Sequence, residues 1–310
     1  MKTKTLPDTR NGTQTGQNAW MLTTLQPAPA EEWDRLRDFL ALDKTDITAM
    51  LTTVEVLFRR GHELVVGNYE YLLSHHETAV ILGWDDGADE AHLAERRRFF
   101  TVWLARTLGL DLSHDFARYL FRAGQIHAAH GPRQIHVPER FVTGAVSLVQ
   151  ATFARFLMEE TAVSPQTLAA LAGWNKLLTL HLHMMLLGYH TALDWDDGDQ
   201  TVAVDLFGRL RPLAGFESRP MPVPAGATMQ QVLTKFFNYY PHIRPEVFHR
   251  EWQQGERLDE KGTPWMTVSP VYQVKHGWRI LKNGRDITYL HGLATPIAAG
   301  DTVSLFPPGR

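Results

Sequence analysis

The chain has 310 residues, no cysteine and a net charge of −3, with 21% charged and 44% hydrophobic residues. That length suits two domains, and the near-neutral balance leaves no electrostatic footprint for nucleic acid or anionic lipid. Without cysteine there are no disulfides, cysteine zinc sites, iron–sulfur clusters or thiol catalysis, which fits a cytoplasmic protein.

The opening MKTKTLPDTRNGTQTGQNAW has early lysines but no apolar h-region, so no signal peptide is expected. Residues 1–30, rich in Thr, Gln, Asn and Pro, read as a flexible arm. Residues 31–193 then read as one helix after another. Ile47, Leu51, Val54 and Phe58 have the 4, 3, 4 spacing of a buried stripe, with Thr45 or Asp46 as its cap. Val65, Tyr69 and Leu72 mark the next helix, and Leu93, Phe100, Leu104 and Leu108 a third, which Gly109 helps to stop. Phe116, Leu120, Gly124 and His127 follow. Pro138 opens a helix with Phe141, Ala145, Leu148, Thr152 and Phe156 on one side. Pro165 fits the first turn of the last helix, where Leu171, Leu178, Leu182, Met185 and Tyr189 continue. No run of about 18 uninterrupted apolar residues suggests a membrane span. The nearest candidate, LLTLHLHMMLLGYHTAL, is interrupted by His181, His183 and His190 and reads as a core helix.

The texture changes after the linker 194–200. Val202, Val204 and Leu206 alternate with Ala203, Asp205 and Phe207 at strand period. Thr228 with Gln231 forms a capping-box pattern before a helical face of Met229, Val232, Phe236 and Tyr240. Asn283-Gly284 between short apolar runs predicts a type I′ hairpin turn. Val303 and Leu305 close the chain in a strand. Residues 201–310 are therefore α+β, with a helix across a mixed sheet.

The histidines in FRAGQIHAAHG pose the functional question. His127 lies on the face that buries Phe116, Leu120 and Gly124. A hydrogen-bonded core imidazole, a haem ligand and, less readily, a zinc ligand all fit that position. Zinc would need His130, His136 or another ligand at a defined distance, and no HExxH is present. A haem needs an apolar slot and one axial nitrogen, with Gly124 and Ala128 as small neighbours that admit a flat macrocycle. His181 and His183, two apart on a helix, face different sides, and His75 and His76 lie at a helix end.

The ordered segments ALDKTDITAMLTTVEVLFRRGHELVVGNYEYLLSHHETAVIL, RAGQIHAAHG, HVPERFVTGA and KLLTLHLHMMLLGYH resemble sensor-type globins, the protoglobins and globin-coupled sensors. The resemblance implies an all-α globin-like fold, a 3-on-3 helical sandwich, over residues 31–193, binding haem b. His127 would be the proximal iron ligand, with Tyr69 on the distal face as a donor to bound O2. It also implies a diatomic gas ligand (O2, CO or NO) or a redox signal, and a homodimer through the last two helices, residues 138–193. VAVDLFGRLRPLAG, VPAGATMQQVLTKFFNYYP and LKNGRDITYLHGLATPIAAGDTVSLFPP resemble the ubiquitin-like β-grasp sulfur carriers, the molybdopterin synthase small subunit and its thiamine-pathway relatives. Those carriers act through a terminal Gly-Gly, where this sequence reads FPPGR and ends in Arg310. The expectation is a cytoplasmic haem sensor with a β-grasp output domain that docks a protein partner. The alternatives are a sulfur carrier in molybdenum-cofactor biosynthesis regulated by the globin half, and a haem enzyme of peroxidase or NO-detoxifying type. Neither a nucleic-acid nor a membrane partner is expected.

Overall fold

The computed structural model describes residues 20–258 and 262–309. Its first element is not helical. Strand β1 (Met21–Leu22) pairs antiparallel with β5 (Pro264–Val274), and Leu22 and Leu25 enter the core of the C-terminal half. The segment read as an arm thus ends in ordered backbone, because its few apolar residues find a sheet far along the chain. Residues 1–19 lie outside the described residues.

Helices follow in chain order. They are α1 (Pro29–Phe39), α2 (Lys44–Leu51), α3 (Val54–Arg59), α4 (Gly61–Ser74), α5 (His76–Leu82), α6 (Glu90–Leu108), α7 (His114–His127), α8 (Glu139–Glu160) and α9 (Pro165–Asp196). They enclose one apolar core that includes Trp33, Met50, Leu57, Phe116, Phe153 and Trp174. The cap of α2 is Asp43, whose carboxylate accepts from the Thr45 and Asp46 backbone N–H groups at 2.7 and 3.2 Å. Asp46 closes the capping box from the third helical position instead of starting the helix.

The stripe Ile47–Leu51–Val54–Phe58 is broken. The Thr52 and Thr53 hydroxyls bond the carbonyls of Ala49 and Met50, which ends α2 and restarts the chain as α3 in a new phase. Leu51 and Phe58 are consequently 58% and 70% exposed, and Ala49, Met50 and Leu57 are buried in their place. A similar shift affects α8. It buries Val142, Val146, Val149, Phe153, Phe156 and Leu157, leaving Phe141, Ala145, Leu148 and Thr152 half-buried. Both sides of this helix are apolar, so only packing chooses between them. By length and composition α8, with a mean hydropathy of 1.4, could cross a membrane. The LLTLHLHMMLLGYHTAL segment is the core helix expected: α9 buries Leu178, Met184, Met185, Tyr189 and both glycines of its sequence in the protein interior.

The linker is shorter than 194–200 because α9 runs to Asp196 and β2 starts at Gln200. Five strands form the second half's main sheet in the order β3-β2-β8-β6-β7. They are β2 (Gln200–Leu206), β3 (Ser218–Val223), β6 (Arg279–Lys282), β7 (Arg285–Asp286) and β8 (Thr302–Phe306). β2 and β8 are parallel, with Val204 opposite Val303, and the remaining pairings are antiparallel. Helix α10 (Leu210–Ala214) follows β2, and α11 (Met229–Tyr239) buries Met229, Val232, Phe236 and Phe237. Thr228 and Gln231 cap α11 as expected. After the short α12 (Arg244–Val247), strand β4 (Phe248–Leu258) pairs with β5 in a long hairpin, and with β1 they form a separate three-stranded sheet.

Asn283 and Gly284 both have positive φ, 49° and 80°, as a type I′ turn requires. The Asn283 amide also donates to Asp301 and its oxygen accepts from the Thr302 N–H, both at 2.7 Å. Asn283→Ala removes both bonds and places a Cβ residue without a local hydrogen bond at positive φ. We expect a loss of about 1–3 kcal/mol, read from the denaturant midpoint; an unchanged midpoint would show that the turn does not set the register.

Candidate functional site

Helix α7 positions the histidine in question. Its start is capped by Ser113, whose hydroxyl accepts from the Phe116 N–H at 3.2 Å. Its middle lies directly on α9. A Cβ at Gly124 would stand 1.8 Å from the Met185 carbonyl oxygen, and one at Gly188 would stand 1.9 Å from that of Phe121. These two glycines therefore let the helix backbones touch. Gly124 serves this crossing, and Ala128 is buried in the apolar core of the C-terminal half; neither is free to admit a macrocycle as the sequence reading had it.

The helix ends at His127. Ala129 takes a left-handed φ of 71°, Ala128 bridges to His136, and the Val137 N–H donates to the His127 carbonyl at 2.8 Å. That turn separates the histidines. His127 stays on the last helical turn, His130 leaves toward the second half, and His136 bonds the Tyr189 hydroxyl at 3.2 Å. His127 and His130 do not share a face, and among the described residues no three His, Asp or Glu side chains could hold one metal ion.

The His127 ring is half-buried, and its Nδ1–H donates to the Ala123 carbonyl one turn back at 2.7 Å. This bond fixes the tautomer and leaves the Nε2 lone pair without a hydrogen-bonding partner among the described residues. Burial pushes the imidazole's pKa down, with the Ala123 carbonyl acting in the opposite sense and Arg96 adding to the depression. A neutral ring with one nitrogen held by backbone and the other free is the donor set an axial haem ligand needs. Tyr119, Ala123 and His127, spaced four apart, form a half-buried line along α7. In these respects the residues fit the group.

Tyr69 projects from α4 toward α6. Its ring meets Trp84 and Phe100 edge-on at 6.3 and 6.1 Å, and its hydroxyl donates to the Arg96 carbonyl at 2.9 Å. Burial pushes its pKa up to about 12, so it stays protonated. The tyrosine hydroxyl is thus committed to backbone, and no hydrogen bond joins Tyr69 to His127 among the described residues.

The segment carrying His127 also touches the second half. Gln125 Nε2 donates to the Tyr239 carbonyl at 3.0 Å. The Tyr239 hydroxyl donates to His130 Nδ1 at 2.7 Å, and His130 Nε2–H donates to Asp196 at 3.0 Å. Trp195 lies against Tyr239 with ring centroids 4.5 Å apart. On another side Glu31 accepts from the Tyr272 hydroxyl at 2.8 Å and pairs with Arg250 at 2.6 Å. None of these contacts was read from the sequence. The one available signal was the aromatic pair Tyr239-Tyr240 at the end of an already apolar helix.

Residues 30–195 match the Protoglobin family and residues 204–309 the ThiS family. The globin domain of a Geobacter sulfurreducens globin-coupled sensor is similar over 50% of this chain and 96% of its own length, at 16% identity and a TM-score of 0.41. Small archaeal modifier protein 1 from Haloferax volcanii is similar over 36% of this chain and 97% of its own, at 22% identity and a TM-score of 0.25. Small archaeal modifier protein 3 from Haloferax volcanii is 50% identical over 36 residues, 12% of this chain. The chain spans 39% of the length of that curated relative. With more than half of its length matched, the chain belongs to the Protoglobin family, and it continues into a mixed-sheet region whose residues 204–309 match the ThiS family model.

Proposed function

We propose that the chain is a haem-based sensor in which His127 holds the iron and the β-grasp half carries the output. The observation that supports this most is the state of one ring: neutral, half-buried, tied through Nδ1 to Ala123 and free at Nε2. Haem b, when bound, would be held by His127 and would supply an iron able to take a diatomic ligand such as O2, CO or NO. Tyr69 would be the residue to donate to such a ligand, its ring held by Trp84 and Phe100 and its hydroxyl released from the Arg96 carbonyl.

The route to the output is the end of α7. Two residues before His127, Gln125 holds the Tyr239 backbone; three residues after it, His130 holds the Tyr239 side chain. A shift of the imidazole that moves this turn must strain or release α11. Signalling then requires only that the two ligation states differ in how well the β-grasp half binds its protein partner. In this reading the β-grasp half is a docking module. Pro307 and Pro308 lie against the positions of Gly208 and Gly277, which holds the chain after β8 to the domain body. Arg310 lies outside the described residues.

The test is the visible spectrum of the purified protein reconstituted with haem. The expected result is a Soret band with CO-sensitive shifts for the wild type. His127→Ala should lose it, or keep only a weak band that added imidazole restores. An unchanged spectrum in His127→Ala would overturn the assignment. Gln125→Ala with His130→Ala should leave the spectrum intact and alter partner binding, which separates the output route from haem binding.

A further inference from the structure

The two halves leave a cleft of about 910 Å³ between them. Arg118, Arg122 and His130 line it from the globin half, and Arg219, Tyr240 and His242 from the β-grasp half. Its charge is unbalanced. Asp196 is the one carboxylate among the lining residues, and its Oδ2 is taken by His130.

Two of the guanidiniums have no carboxylate partner among the described residues. Arg122 donates to neutral oxygens only, Gln125 Oε1 at 3.0 Å and the His130 carbonyl at 2.8 Å. No ion pair engages Arg219 among the described residues, and it lines the cleft beside Tyr240. Arg122 and Arg219 come from different halves yet line the same cleft, together with Tyr239 and Tyr240. Arg118 is the third, held weakly by Asp115 at 3.4 Å. A concave site with several forked donors and almost no acceptor charge concentrates anions. Guanidinium is the side chain best shaped to grip a phosphoryl group in two-point fashion. The volume is that of a typical small-molecule site.

We propose that this junction cleft binds a phosphate-bearing small molecule, gripped by Arg122 from the globin half and Arg219 from the β-grasp half. The ligand bridges the halves, so its binding holds the Gln125–Tyr239 and His130–Tyr239 contacts closed. This inference stands on the cleft alone and not on haem binding. The phosphoryl group belongs either to a nucleotide, whose base would use the Tyr240 and Trp195 side of the cleft, or to a free polyphosphate anion.

Isothermal titration of the full chain at low ionic strength with pyrophosphate, AMP and ATP tests it. At least one probe should bind in the micromolar to low millimolar range. Arg219→Gln alone, at an exposed strand position with no ion pair, should keep the fold and weaken binding roughly tenfold. Arg122→Gln with Arg219→Gln should weaken it further. Arg209→Gln, which breaks a pair with Glu246 and is not among the lining residues, should bind as wild type. Nucleotides binding more tightly than pyrophosphate identify the first source; the reverse order identifies the second. No binding by any probe at millimolar concentration, or full binding by Arg219→Gln, overturns the proposal.

Discussion

Gly188→Ala should be among the most damaging single substitutions in the protein, although it adds one methyl group. The added Cβ would lie 1.9 Å from the Phe121 carbonyl oxygen, and the opposing Gly124→Ala would bring one within 1.8 Å of the Met185 carbonyl oxygen. Neither obstacle is a side-chain tip that can rotate away; both are helix backbone. The helices must separate by more than 1 Å, and the packing of α7 on α9 around them opens. Overpacking and lost contacts together should cost about 3–5 kcal/mol, which is a large share of a typical domain's stability. Gly67→Ala supplies the internal control. It lies inside α4 with nothing within 4 Å of the added Cβ, so it should stabilise by about 0.5–1 kcal/mol through helix propensity. Denaturant midpoints of the three variants decide the matter. A wild-type midpoint for Gly188→Ala would mean that α7 and α9 do not cross as described. Because α7 also carries His127 and the Tyr239 contacts, the same variant should lose haem retention.

His181→Leu should stabilise the protein and remove part of its acid sensitivity. His181 is 0% exposed, and neither ring nitrogen has a hydrogen-bond partner among the described residues. It stacks on Trp33 at 5.9 Å and meets Phe116 and Trp103 edge-on at 5.0 and 6.0 Å. Burial pushes its pKa down to about 3. The unfolded chain takes up this proton as pH falls through about 6.5, whereas the folded protein does not until about 3. Proton uptake by the unfolded state alone removes stability. The loss should approach about 1.4 kcal/mol per pH unit once the pH is well below 6.5, until the folded ring protonates. Leucine is similar in size and has no polar atom to strand. Replacement should gain about 1–3 kcal/mol at neutral pH and flatten the stability profile between roughly pH 6 and pH 3. Urea unfolding across that range measures both effects. A variant less stable than wild type at pH 7, with the acid limb unchanged, would show that the imidazole has partners the geometry does not reveal.

How far the sequence carried the reading depends on the kind of interaction. Local chemistry was legible. The Thr228–Gln231 cap, Pro165 in a first turn, the Asn283-Gly284 turn and the alternation of Val202, Val204 and Leu206 each act within a few residues. The separation of His181 from His183 followed from helical period alone: the first is buried and the second reaches Glu32 at 2.9 Å.

What failed needed a partner from elsewhere in the chain. The α8 stripe was placed one residue out of phase because Phe141 and Val142 are equally apolar, and only packing buries the second. Gly124 looked like room for a cofactor, and it is room for α9. Tyr69 was placed on the correct helix and buried, but its hydroxyl bond to the Arg96 carbonyl depends on where α6 lies.

The sequence by itself therefore determined two stretches of different periodicity, the helix that carries His127, and the strands around Val204, Asn283-Gly284 and Val303. Periodicity, caps and turns are properties of neighbouring residues. The tertiary structure alone decided that the halves touch, that Tyr239 joins them through Gln125 and His130, and that Arg122 and Arg219 face one cleft. Those contacts join residues about a hundred positions apart, and no spacing rule in a single chain encodes which distant side chains will meet.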